Sequence, residues 1–355
     1  MAFKTLAASD TLFQAVQAIE FSELRTVVVL DEKNRLLGTI TDGDIRRRLL
    51  KGGHLQDSVT SAMNPTPVSA KPGTSPELLA ELMKRKNVLT IPIVNDENLF
   101  IELVHLKDLK KIKNISLPRK LDYEFVVIMA GGEGSRLKPI TNKIPKPMVE
   151  IGGMPLLERQ IISLSESGIK KIYISVNYLA NQIENYFGNG SRYNTEIIYL
   201  RESNKMGTAG ALTLITETPN NPILLLNGDI FTNPIFNSLL EYHNQSKVEL
   251  TVATTNYTID IPYGVIQMDN EDVRGIEEKP TQVFLCNAGI YCISPIAFKM
   301  ISKFNVKNIT DLFKILITEN LKIAAFPIHE YWIDIGTPED LDKAREIFKN
   351  NFLLQ

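Results

Sequence analysis

The chain holds only two cysteines, Cys286 and Cys292, one tryptophan and four histidines in 355 residues. Two cysteines cannot build a disulfide scaffold, and without a His/Cys cluster at ligand spacing they exclude structural zinc; both facts point to a reducing compartment. Neither sign of charge is in excess. Against 41 Asp and Glu stand 39 Lys and Arg, a net charge of −2, so a general affinity for nucleic acid or anionic membrane has no electrostatic basis. Long hydrophobic runs are missing too: the longest, such as the one ending at Leu226, fall far short of the roughly 18 residues of a membrane span. Met1 to Asp10 lacks the apolar core of a signal peptide. A soluble cytoplasmic protein is the expectation. An apolar content of 44% excludes disorder, and the length predicts two or three domains.

What is present begins with a repeat. Arg25-Thr-Val-Val-Val-Leu30 returns 64 positions later as Leu89-Thr-Ile-Pro-Ile-Val94, and the same offset carries Asp44-Ile-Arg-Arg47 onto Asp108-Leu-Lys-Lys111. A helical pattern precedes each strand, with Ala15, Val16 and Ile19 in one copy and Leu78, Leu79 and Leu82 in the other. Each copy reads helix, strand, turn, strand, helix. Neither is long enough to cover both faces of its sheet, so the two are expected to pack on each other. Gly38-Thr-Ile-Thr-Asp-Gly-Asp44 after a strand, and Val59-Thr-Ser-Ala-Met-Asn-Pro-Thr-Pro-Val68 between the copies, resemble a tandem pair of CBS domains over residues 1–115, about 1–60 and 61–115. That resemblance implies an adenosine or guanosine nucleotide as ligand, with Thr41 near its phosphate and Asp44 and Asp108 at the ribose hydroxyls. His105 stands where the second copy should have its hydroxyl residue. The alternative is a dimerisation scaffold without ligand.

Residues 116–122, within a polar stretch that contains Pro118, read as a linker. From residue 123 to 355 strands and helices alternate: Phe125-Val-Val-Ile-Met129, Ile172-Tyr-Ile-Ser-Val176, Ile223-Leu-Leu-Leu226 and Leu250-Thr-Val-Ala253 are buried-strand runs. A doubly wound, Rossmann-like α/β domain with a mostly parallel central sheet is the predicted fold. The first strand runs into Ala130-Gly-Gly-Glu-Gly-Ser-Arg-Leu137, whose glycines let backbone N–H groups approach phosphate oxygens. The spacing fits neither the P-loop nor the dinucleotide fingerprint. Arg136 in the loop, and Lys146 fixed between Pro145 and Pro147, place two cations beside this cradle.

Gly131-Gly-Glu-Gly-Ser-Arg-Leu-Lys-Pro-Ile-Thr141, then Pro145-Lys-Pro-Met-Val149 and Gly152-Gly-Met-Pro-Leu-Leu157, together resemble the signature of sugar-1-phosphate nucleotidyltransferases, with Ser135 where Thr is commoner. The resemblance implies attack of a sugar-1-phosphate oxygen on the α-phosphorus of a nucleoside triphosphate, giving a nucleotide sugar and pyrophosphate. It assigns Ala130, Gly131, Gly132, Gly134 and Ser135 to the triphosphate, and Arg136 and Lys146 to charge stabilisation. Asp229 in Asn227-Gly-Asp-Ile230 and Asp334 in Trp332-Ile-Asp-Ile-Gly336 match the family's metal pair, implying Mg²⁺, which is content with one or two carboxylates plus phosphate oxygens and waters. Gly264, Glu278, Lys279 and Asn287 match the segments that hold the sugar and its phosphate. Gly207, Thr208 and Gly210, in Lys205-Met-Gly-Thr-Ala-Gly-Ala211, sit where the nucleobase is read and look more like guanylyl- than thymidylyl- or uridylyltransferases, implying GTP.

The order of domains resembles the glucosamine-1-phosphate guanylyltransferases of bacterial legionaminic acid synthesis. Mannose- or heptose-1-phosphate guanylyl transfer is the nearest alternative, with thymidylyl, uridylyl or cytidylyl transfer beyond it. A nucleotide sensor with a non-catalytic transferase half is the alternative of another class, opposed by the intact set Arg136, Lys146, Asp229, Lys279 and Asp334. Paired modules make a homo-oligomer the expectation.

Overall fold

Strands buried on both faces read as unbroken apolar runs, and the four runs of the second half become strands of one sheet. The computed structural model of the chain describes residues 4–352 apart from 21, 23, 24, 87, 107, 108, 110–122, 233–235 and 329. The chain divides into two compact units, Met1–Lys120 and Leu121–Gln355. Residues 116–122, read as a linker, lie outside the described residues.

The first unit runs β1 (Thr5–Ala7), α1 (Leu12–Glu20), β2 (Thr26–Leu30), β3 (Leu36–Thr41) and α2 (Asp42–Leu50), then α3 (Pro76–Lys86), β4 (Thr90–Val94) and β5 (Phe100–His105). The 64-residue offset is visible as symmetry. Leu36 N–H donates to the Asn98 carbonyl and Phe100 N–H to the Asn34 carbonyl, both at 3.0 Å, and each bond is the other moved by one repeat. Thr90 Oγ1 likewise meets its equivalent, Thr26 Oγ1, at 3.1 Å. Asn34 and Asn98 both take left-handed backbone (φ 59° and 62°), which Asn tolerates better than most residues. Val28, Leu30 and Leu36 share one apolar cluster with Val94 and Leu103, so the two copies do pack on each other.

The second unit follows β6 (Val126–Met129), β7 (Glu150–Ile151), β8 (Met154–Pro155), α4 (Leu156–Glu166), β9 (Lys171–Val176), α5 (Ala180–Phe187), β10 (Glu196–Arg201) and the single turn α6 (Gly207–Gly210). Then come β11 (Ile223–Asn227), β12 (Ile230–Thr232), α7 (Phe236–Ser246), β13 (Leu250–Asp260), β14 (Val265–Asp269), β15 (Asp272–Glu277) and β16 (Thr281–Ile293). The last elements are α8 (Pro295–Lys303), α9 (Ile309–Thr318), β17 (Ile323–Pro327), β18 (Trp332–Asp334) and α10 (Pro338–Phe352). Strand order in the central sheet is β10-β9-β6-β11-β16-β13-β17, and every pairing that excludes β16 is parallel. The predicted doubly wound, mostly parallel α/β domain is therefore present. Val126 and Ile128 pack with Leu157 and Ile161 of α4 and Leu239 of α7 on one face. Phe125 and Val127 pack with Phe298 of α8 and Leu312 of α9 on the other.

Among the described residues no helix is long and apolar enough to cross a membrane. Cys286 and Cys292 lie inside β16, and burial pushes the Cys292 thiol up, as suits a core residue. The imidazole of His243 on α7 is buried, with Nδ1 2.9 Å from Thr251 Oγ1 of β13, and burial pushes its pKa down from 6.5 to about 4.

Between those values the unfolded chain binds a proton that the folded chain refuses. Stability from neutral His243 is full above pH ~6.5 and is lost as pH falls toward ~4, an effect of about 3 kcal/mol. The thermal midpoint of the wild type is expected to drop more steeply than that of His243→Gln between pH 7 and 4.5. Parallel curves would contradict the buried neutral imidazole.

Candidate active site

Parallel strands deliver their carboxyl ends to one edge of the sheet, and the loop after β6 starts there. Ala130 is buried, Gly132 faces open space, and residues 135–137 form one turn of 3₁₀ helix that leaves Ser135 and Arg136 exposed. Gly134 has left-handed backbone (φ +61°), and a Cβ there would lie 2.9 Å from both Lys146 Cβ and Thr141 Cγ2. Thr141 Oγ1 donates to the Gly134 carbonyl at 2.7 Å. The loop is thus laid directly on the lysine. Gly131 approaches a carboxylate instead: a Cβ there would be 3.1 Å from Glu202 Oε1.

Lys146 opens a 3₁₀ turn after Pro145, and the side chain is almost wholly buried. Its Nζ donates to Asp229 Oδ2 at 2.5 Å and lies 3.7 Å from Asp334 Oδ1, an ion-pair distance too long for a hydrogen bond. Asp229 occupies the turn between β11 and β12; Asp334 ends β18 and stands opposite Ile230 in the β12–β18 pairing. Asp229 Oδ1 and Asp334 Oδ1 are buried with no hydrogen-bond partner. Burial, and then the Asp229 carboxylate beside it, hold the Asp334 pKa above the ordinary carboxylate range, against the pull of Lys146 and Arg136. Arg136 reaches this cluster because Gly336 has no side chain: a Cβ there would meet the guanidinium at 3.2 Å.

Gln160 of α4 was not visible as a site residue in the sequence. From Nε2 it donates to the carbonyls of Asn227 (3.1 Å) and Ile230 (2.9 Å), one on each side of Asp229, and so clamps the turn that carries the acid. Gly228 permits the turn, since a Cβ there would lie 2.8 Å from the Met129 carbonyl. Trp332 Nε1 donates to the Ala288 carbonyl at 2.9 Å, tying β18 to β16. Beside Asp334 a pocket of about 100 Å³ is lined by Asn227, Asn287, Gly289, Tyr291 and Trp332 among others. Asn287 is held there by Nδ2 donating to Tyr291 Oη at 2.7 Å and Oδ1 accepting from Gly289 N–H at 2.9 Å. Proximity of Asn227 to Gly-Asp and of Gly336 to Asp334 was the only signal the sequence carried for these.

The structure therefore brings Arg136, Lys146, Asp229, Asp334 and Asn287 to one place. Gly264, Glu278 and Lys279 group elsewhere, at the root of the β14–β15 hairpin, where a Cβ on Gly264 would lie 2.8 Å from Glu278 Oε2; none of the three lines the pocket. Around Gly207, Thr208 and Gly210, the Lys307 carbonyl accepts from Ala209 and Gly210 N–H at 2.9 Å, and Thr208 Oγ1 accepts from Ile309 N–H at 2.9 Å, where α9 begins. Their segment is joined to the glycine loop by an ion pair of Lys205 and Glu133 at 2.8 Å, and to Glu202 through Met206 N–H at 2.9 Å. In the first unit Thr41 and Asp44 form the capping box of α2, and Asp44 also pairs with Arg47. Asp108 lies outside the described residues.

Two carboxylates sharing one ammonium suit a divalent cation that prefers oxygen donors, and the two unpartnered oxygens are the atoms it would use. Among the described residues no group of three or more His, Cys, Asp or Glu is arranged for metal binding, so such an ion would need phosphate oxygens or water to complete its shell. Without divalent ions, Asp334→Asn is expected to raise the thermal midpoint, because burial and then the Asp229 carboxylate disfavour the charged Asp334. Calorimetry on EDTA-treated protein checks this. A lower midpoint would make Asp334 a structural partner of Lys146 instead.

Residues 125–351 match the nucleotidyl transferase family, and residues 2–51 and 59–114 match the CBS domain. The chain is 34% identical over 226 residues to the mannose-1-phosphate guanyltransferase of Pichia angusta, covering 60% of this chain and 61% of that one. It is 30% identical over 234 residues to that of Saccharomyces cerevisiae, covering 63% and 64%. The chain thus spans less than two thirds of these relatives. A UDP-glucose pyrophosphorylase structure from Acinetobacter baumanii superposes with a TM-score of 0.51 at 19% identity, covering 65% of this chain and 95% of that one, a likeness of fold. With the match running over most of its length, the chain belongs to the nucleotidyl transferase family, with a CBS domain repeat ahead of the transferase unit.

Proposed function

We propose that the chain transfers a guanylyl group from GTP to a hexose-1-phosphate, forming a nucleotide sugar and releasing pyrophosphate. The observation that carries this reading is Lys146, buried between Asp229 and Asp334 beneath a glycine loop that only Gly134 allows so close. The attacking phosphate oxygen is already an anion, so the site needs no general base. What it needs is alignment and cationic stabilisation of the phosphates. Backbone N–H groups of residues 131–135 and the Arg136 guanidinium would hold the triphosphate, and Lys146 would balance charge at the α-phosphate. A divalent cation held by Asp229 and Asp334, Mg²⁺ by the preference for oxygen donors, would supply further charge neutralisation. Gln160 keeps Asp229 in register for it.

Support for guanine comes from the guanyltransferase relatives and from the Gly207-Thr-Ala-Gly-Ala211 segment. For the acceptor, the CBS repeat ahead of the transferase favours glucosamine-1-phosphate, and the relatives favour mannose-1-phosphate. In the first unit, a nucleotide would have to displace Arg47 and Thr41 from Asp44.

Pyrophosphate release should be followed with four nucleoside triphosphates crossed against glucosamine-, mannose- and heptose-1-phosphate in Mg²⁺. GTP is expected to dominate, and Asp229→Asn to lower turnover by roughly a hundredfold or more. No release with any pair would overturn the transferase reading; release with another triphosphate would overturn only the base.

A further inference from the structure

The loop assigned above to the triphosphate is cationic with a single exception. Between positions 130 and 149 stand Arg136, Lys138, Lys143 and Lys146, and the only acid is Glu133, set between Gly132 and Gly134 in the middle of the cradle. A carboxylate there works against a polyanionic ligand, since like charges at short range repel. Its partner comes from a distant part of the chain: Lys205 Nζ lies 2.8 Å from Glu133 Oε1. Lys205, and after it Lys138, hold the Glu133 carboxyl below the ordinary carboxylate range, so its charge is present at neutral pH.

The backbone around Lys205 is fixed by its neighbours rather than by this pair. Glu202 accepts from Met206 N–H at 2.9 Å and from Ser175 Oγ of β9. Gly207 has left-handed backbone (φ +80°), and a Cβ there would lie 2.6 Å from the Lys307 carbonyl, just ahead of α9. Lys205 therefore projects from a pinned segment, while its own side chain is 77% exposed and that of Glu133 49%. An ion pair so open to water adds little to the stability of the fold. Its charge bears instead on the anion that the loop receives.

We propose that Lys205 is a positioning residue for nucleotide binding: it holds Glu133 aside and cancels its charge, so that the glycine loop can accept a triphosphate. Lys205 acts through Glu133 and not by touching phosphate. It also opens the Lys205-Met-Gly-Thr-Ala-Gly-Ala211 segment assigned to the nucleobase, so the pair joins the two halves of the nucleotide site. The inference rests on the reading of the loop as a triphosphate cradle.

A cycle of two charge-removing variants tests it, read as KM and kcat for pyrophosphate release with GTP, or with whichever of the four triphosphates the wild type prefers. Lys205→Met leaves Glu133 bare and is expected to raise KM roughly three- to tenfold, with a much smaller change in kcat. Glu133→Gln removes the repulsion at its source and is expected to leave KM at or below the wild-type value. In the Glu133→Gln background, Lys205→Met is expected to add nothing, and Lys205→Arg alone should keep the wild-type KM. A merely structural tie is broken by either variant, so a rise in KM with both single variants would overturn the proposal. A rise on adding Lys205→Met to Glu133→Gln would overturn it as well, by making Lys205 a direct phosphate contact. A wild type that releases pyrophosphate from no triphosphate sinks the transferase reading and this proposal together; an active wild type with either contrary pattern sinks this proposal alone.

Discussion

One ammonium between two carboxylates organises the candidate site of the second unit. Lys146 touches Asp229, stands at ion-pair distance from Asp334 and is nearly sealed from water, and Arg136 is the second cation beside the two carboxylates. Such a cluster is costly to hold while Asp229 Oδ1 and Asp334 Oδ1 are buried without a hydrogen-bond partner. A cation that prefers oxygen donors would find those two oxygens free to hold it, with phosphate or water completing its shell.

Each arm of the cluster comes from a different part of the chain, and each is fixed by backbone rather than by side-chain reach. The β12–β18 ladder sets Asp334 beside the turn of Asp229, and Gln160 grips that turn by the carbonyls on both sides. Ile335 N–H donates to the Asp229 carbonyl at 2.9 Å, closing the ring from the other end. Gly134, Gly228 and Gly336 matter as absences of Cβ: each lets a neighbouring strand, lysine or guanidinium come nearer than any other residue would allow. Most of the site is therefore read out by close approach, which leaves little tolerance for substitution.

This explains what the sequence could and could not show. Buried strands gave unbroken β-branched and leucine runs, and special backbone demanded glycine and proline, so the sheet, the glycine loop and Lys146 were legible. The repeat was legible because symmetry repeats its residues, down to Asn34 and Asn98 in left-handed turns. Gln160 was hidden, since a glutamine on an amphipathic helix looks like any polar face residue until its carbonyl partners are known. The bond from Ile309 N–H to the Thr208 hydroxyl, which ties this segment to the start of α9, was hidden as well, because only the tertiary fold brings the two together. The outer halves of β13 and β16 were missed because alternation of polar and apolar residues there has no core to face.

Asp229 and Asp334, each with one buried oxygen left without a partner, would take a divalent cation between them. A titration of the intact chain with Mn²⁺, followed by loss of the free-ion electron paramagnetic resonance signal, tests this directly. One saturable site per chain is expected, removed when Asp229→Asn and Asp334→Asn are combined. Binding of unchanged stoichiometry and affinity in that double variant would contradict it.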